Sequence, residues 1–556
     1  MDDRDSLLAP GSQSHYDTTS GSIQDVENQD AASTKKKSAF FVGLVLALLL
    51  AVGAGVTLIL LLSNNPSSLS YKVQADGVMR RLSGLLDTAK IGGLNSRSVL
   101  NNYGESLKFV REVLANNTEC TLYTQKLVVP IHDVVEPGRL GLVQPHVVNY
   151  QANVDFLNMR YGGNGTITID NAEVFVADNY GCAGADYIGM PTSNAVIVAR
   201  YGGSCEPIDK ALLVQHIASL DNGGIYDPTV ALLLDNIETS TTLKNARVRF
   251  TAWKEGDELI QLPVFSISHS MGAGLRNMVA DAAADADRPA PRMNVYSNTK
   301  LTVADTENLF CDSPDATNST NVVVLGAHLD SVPEGPGMND NGSGSAALLE
   351  VAVQYFRNRT HKRAVNPVRF AWWAAEEIGL LGARHYVRTM QESGDIAKIA
   401  AYMNFDMLGS PNGVPYIHNG TDVNANIPLD VQNASTRVQQ QLESFFVDIA
   451  KAPYSFTHMQ GGSDYLPFIE AGVPSSGMAT GASGLKTEAE RTIFGGDANA
   501  PHDACYHLPC DTLENINVPL LEQCARAAAH AGELLAVHPC LRHFLQTGEG
   551  TCPPAL

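Results

Sequence analysis

The chain has 556 residues, 44% of them hydrophobic and 17% charged, the balance of a folded protein too long for one ordinary core. Its 38 Lys and Arg against 59 Asp and Glu give a net charge of −21, which argues against nucleic acid or an anionic membrane surface as a main partner. The composition is that of a globular chain, so disorder is expected only at the ends.

Residues 1–38 are polar and poor in aromatic side chains, as a disordered cytosolic tail would be. Within them Asp3, Leu7 and Leu8 form a DxxxLL pattern that resembles acidic dileucine signals for endosomal and vacuolar or lysosomal sorting. Residues 39–62 run for 24 positions without a charge, more than the roughly 20 that a bilayer crossing needs. The run is longer than the apolar part of a signal peptide and has no clear small-x-small cleavage site before Ser63, so it reads as a membrane anchor. Lys35, Lys36 and Lys37 on its N-terminal side put the N-terminus in the cytosol and everything after Ser63 in a lumen (vacuole, lysosome or endosome) or outside the cell.

Seven N-x-S/T sequons, at Asn116, Asn164, Asn318, Asn341, Asn358, Asn419 and Asn433, fit that topology, and Asn341, beside Asp340, is expected to stay bare. Of nine cysteines the closest pairs in sequence are Cys182 with Cys205 and Cys505 with Cys510, and an odd number leaves at least one outside any intrachain pair.

Residues 63–70 read as a stalk. Helical periodicity then runs from Val73 to Leu114, with Leu82, Leu85 and Leu86 before a GGLNSR break and Leu107, Val110, Val113 and Leu114 after it, and both helices are expected to pack on a sheet. From about Pro130 to residue 270 the chain changes to short β-like runs, among them Gly165–Ile169, Ala195–Ala199 and Ala231–Leu234, a separate β-rich domain. GCAGADY from Gly181, RYGGSC up to Cys205, DKALLVQHI and LPVFSIS resemble a protease-associated domain, a kind of insertion that lies beside active sites and shapes access to them.

Beyond residue 270, apolar strands and helices alternate to about Val537, which predicts an α/β fold with a mixed, mostly parallel sheet flanked by helices. Val322–Leu325 is a buried strand with His328 and Asp330 at its carboxyl end, followed by Asp340 in a Gly/Pro/Asn-rich loop and a helix carrying Leu348, Leu349, Ala352 and Phe356 on one face. Val368–Ala374 ends in Glu376 and Glu377, and Ala401–Phe405 ends in Asp406. With His507, these strand ends and loops supply five candidate ligands: His328, Asp340, Glu377, Asp406 and His507. Two imidazoles with three carboxylates suit zinc, and they suit two ions if one carboxylate bridges, as Asp340 is able to do.

The ordered blocks GAHLDSV, GMNDNGSGSAALLE, FAWWAAEEIGLLGARHYV, NFDMLGSPN, GGSDYLPF and CYHLPCD resemble the M28 family of dinuclear zinc aminopeptidases, in particular the bacterial and fungal secreted leucine aminopeptidases. The resemblance spans about Arg97 to Ala531. It implies the zinc exopeptidase fold, assembled from residues 71–129 and 271–540, with 130–270 as the insertion and 541–556 as a tail. It also implies two zinc ions per chain, one on His328, Asp340 and Asp406 and one on Asp340, Glu377 and His507. Asp330 would orient its histidine, the Asp340–Asn341 peptide would be cis, and Cys505 and Cys510 would clip the loop of His507. Glu376, left out of the ligand set, is expected to be the general base. Tyr506 would steady the tetrahedral intermediate. The substrates implied are peptides with a free N-terminus.

Relatives have Arg before the Ser-Asp pair where this chain has Gly462, so recognition of the amine must rest on Glu376 and Asp406 or on another residue. His502 is set aside as a ligand because the CYHxxCD block puts the histidine between the cysteines, and Trp372 and Trp373 are expected to be strand core. Two other readings share parts of the pattern. A glutamate-carboxypeptidase-like protein carries a long helical domain after the peptidase, whereas 45 residues follow Asp511 here (556 − 511). A transferrin-receptor-like binding protein loses metal ligands, and none is missing.

The lysines before the apolar run lead to a topology test. A tag at Met1 should be protected from protease added on the luminal or external side, a tag after Leu556 should be cleaved, and glycosidase should increase gel mobility. The reverse protection pattern would refute the anchor's orientation.

Overall fold

The computed structural model describes residues 68–236, 256–314 and 319–553. The tail and apolar run, residues 1–62, lie outside them, and among the described residues no helix is long and apolar enough to cross a membrane. Of the expected stalk, residues 63–70, the described part starts at Ser68. Leu69 and Ser70 are buried, and the Leu69 amide and Ser68 hydroxyl donate to the Glu533 carboxylate, bonds strengthened by its charge.

Two helices follow, α1 (Ala75–Ala89) and α2 (Tyr103–Asn117), separated at Gly92 and Gly93, whose φ values of 68° and 75° turn the chain out of the helical path. In chain order the strands are β1 (Thr121–Gln144), β2 (Val148–Asn149), β3 (Phe156–Asn158), β4 (Gly165–Val176), β5 (Ala195–Arg200), β6 (Val230–Asp235) and β7 (Val264–Ile267). They continue as β8 (Arg292–Asp312), β9 (Val322–His328), β10 (Val368–Trp373), β11 (Ile399–Phe405), β12 (Tyr416–Val423), β13 (Ser455–Met459) and β14 (Ser475–Ala479). The later helices are α3 (Pro207–Ser219), α4 (His269–Ala284), α5 (Gly344–Arg357), α6 (Leu381–Glu392), α7 (Leu429–Ser444), α8 (Tyr465–Glu470), α9 (Glu488–Phe494), α10 (Val518–Val537) and α11 (Leu541–Thr547).

The 14 strands form one mixed sheet in the order β13-β12-β14-β11-β9-β10-β8-β4-β5-β6-β7-β3, with β1 paired to β8 and β2 to β1. β10, β9, β11 and β14 are mutually parallel, while β8 and β12 are antiparallel to their neighbours in that group. Every residue of β9, β10 and β11 is buried, which is why these runs read as continuous apolar segments without alternation. α2 packs on β8 as well as on α1 and α5, the expected seat on the sheet, whereas α1 packs on α5 and α10 and adds a further helical layer.

β1 and β8 form a long antiparallel ribbon that carries the central sheet into β4–β7. There β4, β5, β6 and β7 are parallel, and α3 connects β5 to β6, so the inserted segment is α/β in character as well as rich in strands. α4 packs against β4, β5 and β6, which carries this unit past residue 270 to the start of β8. The end of the chain is likewise more ordered than a tail: α11 buries Leu541 and Leu545, and Cys540 bonds to Cys552.

Cys182–Cys205 and Cys505–Cys510 are disulfides, as sequence proximity and the resemblance implied, and Cys120–Cys311 ties β1 to β8 across 191 residues. Cys524 is buried and unpaired. Four disulfides mark a chain that folds in an oxidising compartment.

Candidate metal centre

β9, β10 and β11 end side by side, and sheets of this kind bind ligands beyond the carboxyl ends of their strands. His328 closes β9, Glu376 and Glu377 follow β10, and Asp406 follows β11. Asp340 sits in the wide turn Met338–Ser343 before α5, and His507 lies in the loop clipped by Cys505 and Cys510. The five candidate ligands converge on one rim.

They form two triads that share Asp340. In one, His328 Nε2 lies 3.4 Å from Asp340 Oδ1 and 3.3 Å from Asp406 Oδ1. In the other, His507 Nε2 lies 3.0 Å from Asp340 Oδ2 and 3.1 Å from Glu377 Oε2. Asp340 therefore turns one oxygen to each imidazole. A tetrahedral ion with ligand bonds of about 2.0–2.1 Å has ligand-to-ligand edges of about 3.3–3.4 Å. The donor atoms are thus spaced to hold one cation per triad, and imidazole with carboxylate is a set that suits zinc.

Glu376 and Glu377 reach the same rim because the strand bends. Successive residues of a straight strand point to opposite faces, and here Ala375 takes a φ of 58°, turning the chain as β10 ends. Asp330 holds the turn. Its Oδ1 lies 3.5 Å from His328 Nδ1, which hydrogen-bonds to the Asp330 backbone carbonyl at 3.2 Å. The two carboxylate oxygens of Asp330 also accept the amides of Glu376 at 3.1 Å and Glu377 at 3.2 Å. One residue thus aligns an imidazole and both glutamates.

The electrostatics follow from crowding. Desolvation, with the carboxylates of Glu377, Asp464 and Asp406 nearby, holds Glu376 well above the usual carboxyl range despite His328. Desolvation opposes charge on His507, yet Asp340 and Glu377 push that imidazole up to about 10. Tyr506 stacks on His507 with ring centroids 3.8 Å apart, and burial followed by the nearby carboxylates raises its phenol, which stays protonated.

Four features lay outside the sequence-level reading. Asp511 accepts the amides of Asn339 at 2.8 Å and Asp340 at 3.0 Å, holding the turn that presents the shared aspartate, whose peptide bond to Asn341 is cis as the resemblance implied. Asn339 and Asn515 both donate to Asp503, and Asn515 also donates to Asp511. Arg97 is wholly buried and donates to the carbonyls of Leu329, Pro336 and Gly337, closing the loop after β9 around one guanidinium. Asp464 is buried with no hydrogen-bond partner among the described residues, and burial raises its carboxyl well above the usual range. The CYHLPCD block contained Asp511, but nothing in its spacing told of a bond across 171 residues.

The residues set aside stay apart from the triads. His502 Nδ1 donates to the Gly484 carbonyl and its Nε2 lies 3.1 Å from the Tyr416 hydroxyl, and Trp372 and Trp373 are fully buried. Asn341 is buried with its amide on Phe405 O, in keeping with a bare sequon.

The model of peptidase family M28 matches residues 308–532. An aminopeptidase of Pseudomonas aeruginosa is 31% identical over 468 residues, covering 83% of this chain and 81% of that one. Leucine aminopeptidase 2 of Trichophyton rubrum is 34% identical over 362 residues, 65% of this chain and 66% of its own. Among solved structures, an aminopeptidase from Aneurinibacillus sp. strain AM-1 is similar in fold, with a TM-score of 0.58 at 19% identity over 84% of this chain and 95% of that one.

The Arg97 cradle carries a stability test. Arg97→Met leaves three buried carbonyls without their donor, and at about 1–3 kcal/mol for each unsatisfied group denaturant unfolding should show a loss of at least about 3 kcal/mol. A loss below about 1 kcal/mol would mean that water or backbone movement satisfies the loop without the guanidinium.

Proposed function

The chain belongs to peptidase family M28, and from that membership we propose that it is a zinc aminopeptidase with two metal ions per chain, releasing N-terminal residues from peptides with a free amine. The observation that carries this reading is the division of the Asp340 carboxylate between two triads at one sheet rim. In it His328, Asp340 and Asp406 hold one zinc, and Asp340, Glu377 and His507 the other. When bound there, zinc polarises a scissile carbonyl and lowers the pKa of water towards neutrality.

The remaining chemistry falls to side chains outside the ligand set. Glu376 takes a proton from the attacking water and delivers it to the nitrogen of the departing amine. The protonated Tyr506 phenol donates to the oxyanion as it develops. Asp330 keeps His328 and the two glutamates in register through the contacts described above. Carboxylates of Glu376 and Asp406 recognise the substrate's ammonium group. Gly462 has a φ of 101°, and a Cβ built there meets nothing within 4 Å, so the position offers room and no side chain.

The same reading puts the catalytic body in a lumen or outside the cell, joined to the membrane by the single apolar run at 39–62, with 130–270 as a protease-associated insertion. The four disulfides support the compartment.

The activity test uses leucyl and N-acetyl-leucyl peptides with and without chelator. Only the free-amine peptide should be cleaved, and chelator should abolish cleavage; hydrolysis of the blocked peptide, or chelator resistance, would sink the proposal. The adjacent glutamates are separated by variants. Glu376→Gln should keep both metals while kcat falls about 10²–10⁴-fold, the usual worth of a general base. Glu377→Gln should lose metal from one site, since an amide is a poorer ligand than a carboxylate. Zinc lost from Glu376→Gln and kept in Glu377→Gln would reverse the two roles.

A further inference from the structure

Asp406 is held from two sides. Its Oδ1 faces His328, and its Oδ2 accepts the Ser463 hydroxyl at 2.6 Å. Ser463 in turn accepts Asn404 Nδ2 at 2.8 Å, Asn404 Oδ1 accepts the Tyr402 hydroxyl at 2.7 Å, and the Tyr402 oxygen accepts Trp373 Nε1–H at 2.9 Å. All four side chains behind Asp406 are buried. An ionised carboxylate accepts only and an indole N–H donates only, so the two ends together fix the direction of every bond between them. Tyr402 must accept from Trp373 and pass its own proton to Asn404, whose amide then donates to Ser463. The single proton of Ser463 is left for Asp406, which makes the last bond charge-assisted.

The packing around this series fits it. A Cβ at Gly326 of β9 would lie 2.5 Å from both Trp373 Nε1 and the Tyr402 hydroxyl, so the central strand has a glycine where the bonds cross it. The Tyr402 ring stacks on Phe468 of α8 with centroids 3.9 Å apart and planes 8° apart, clamping the helix that begins just after Ser463.

We propose that Trp373, Tyr402, Asn404 and Ser463 form a one-way hydrogen-bond relay that orients Asp406, making Ser463 a positioning residue for the cation site of His328, Asp340 and Asp406. The inference rests on the reading above that both triads bind zinc. A carboxylate's terminal torsion has a broad preference, so without the Ser463 bond Asp406 is free to turn Oδ1 away from His328. The other triad does not include Asp406 and keeps its geometry.

The test is zinc affinity in the full chain, measured by competition with a chelator. Wild type should release two ions in two steps, and Glu377→Gln identifies the step that belongs to its own triad. Ser463→Ala should weaken the remaining step about 10–100-fold, the usual effect of losing a group that orients a ligand, and leave the Glu377 step in place. Ser463→Thr keeps the hydroxyl and should restore most of that affinity. Tyr402→Phe interrupts the relay two bonds further back and should weaken the same step by a smaller factor. Unchanged affinities in Ser463→Ala, or equal losses from both steps, would overturn the relay. If Ser463→Ala does not fold, Tyr402→Phe decides, and an unchanged step there overturns it equally. A wild-type chain that binds fewer than two ions would instead overturn the assignment of the triads.

Discussion

The constraint on which this structure turns is the burial of like charges. Asp340, Glu377, Asp406 and Asp330 lie at one sheet rim with Glu376 and Asp464 close by, and most of their surface is removed from water. Bringing such groups together without compensation costs several kcal/mol for each. Two cations would supply the compensating charge, and the spacing of the imidazole nitrogens from the carboxylate oxygens is what they require. The surrounding architecture keeps these carboxylates aimed against their mutual repulsion. Asp330 holds backbone amides on one side, Asp511 holds the Asp340 turn on another, and Ser463 holds the far oxygen of Asp406.

These supports come from all over the chain. Arg97 precedes the ribbon of β1 and β8, yet it closes a loop more than 230 residues away, and Asp511 acts across 171 residues. The central parallel strands bring them within reach, because each ends at the same rim whatever its place in sequence. Glu376 and Glu377, neighbours in sequence, then face the same rim only because the chain bends at Ala375.

What the sequence made legible follows from the same physics. β9, β10 and β11 are buried on both faces, so they stand out as unbroken apolar runs, and the ligands at their ends are found by position. The bend after β10 was foreseeable because two consecutive glutamates had to face one way. Asp511, Arg97 and Ser463 were not legible as supports, since a hydrogen bond to a distant backbone atom leaves no period or spacing in the chain. The end of the insertion was misjudged because α4 has a helical pattern like those of the central domain, and only packing shows that it covers β4, β5 and β6. The terminal helix was overlooked for a similar reason: seven residues, with Leu541 and Leu545 as anchors, are too short for periodicity to register.

Diffraction from zinc-loaded crystals at the zinc absorption edge would test the central claim most directly. The account predicts two anomalous peaks about 3.5–4 Å apart, one against His328 and Asp406, the other against Glu377 and His507, with Asp340 contacting both. A single peak, or two peaks with Asp340 bound to one or neither, would contradict it.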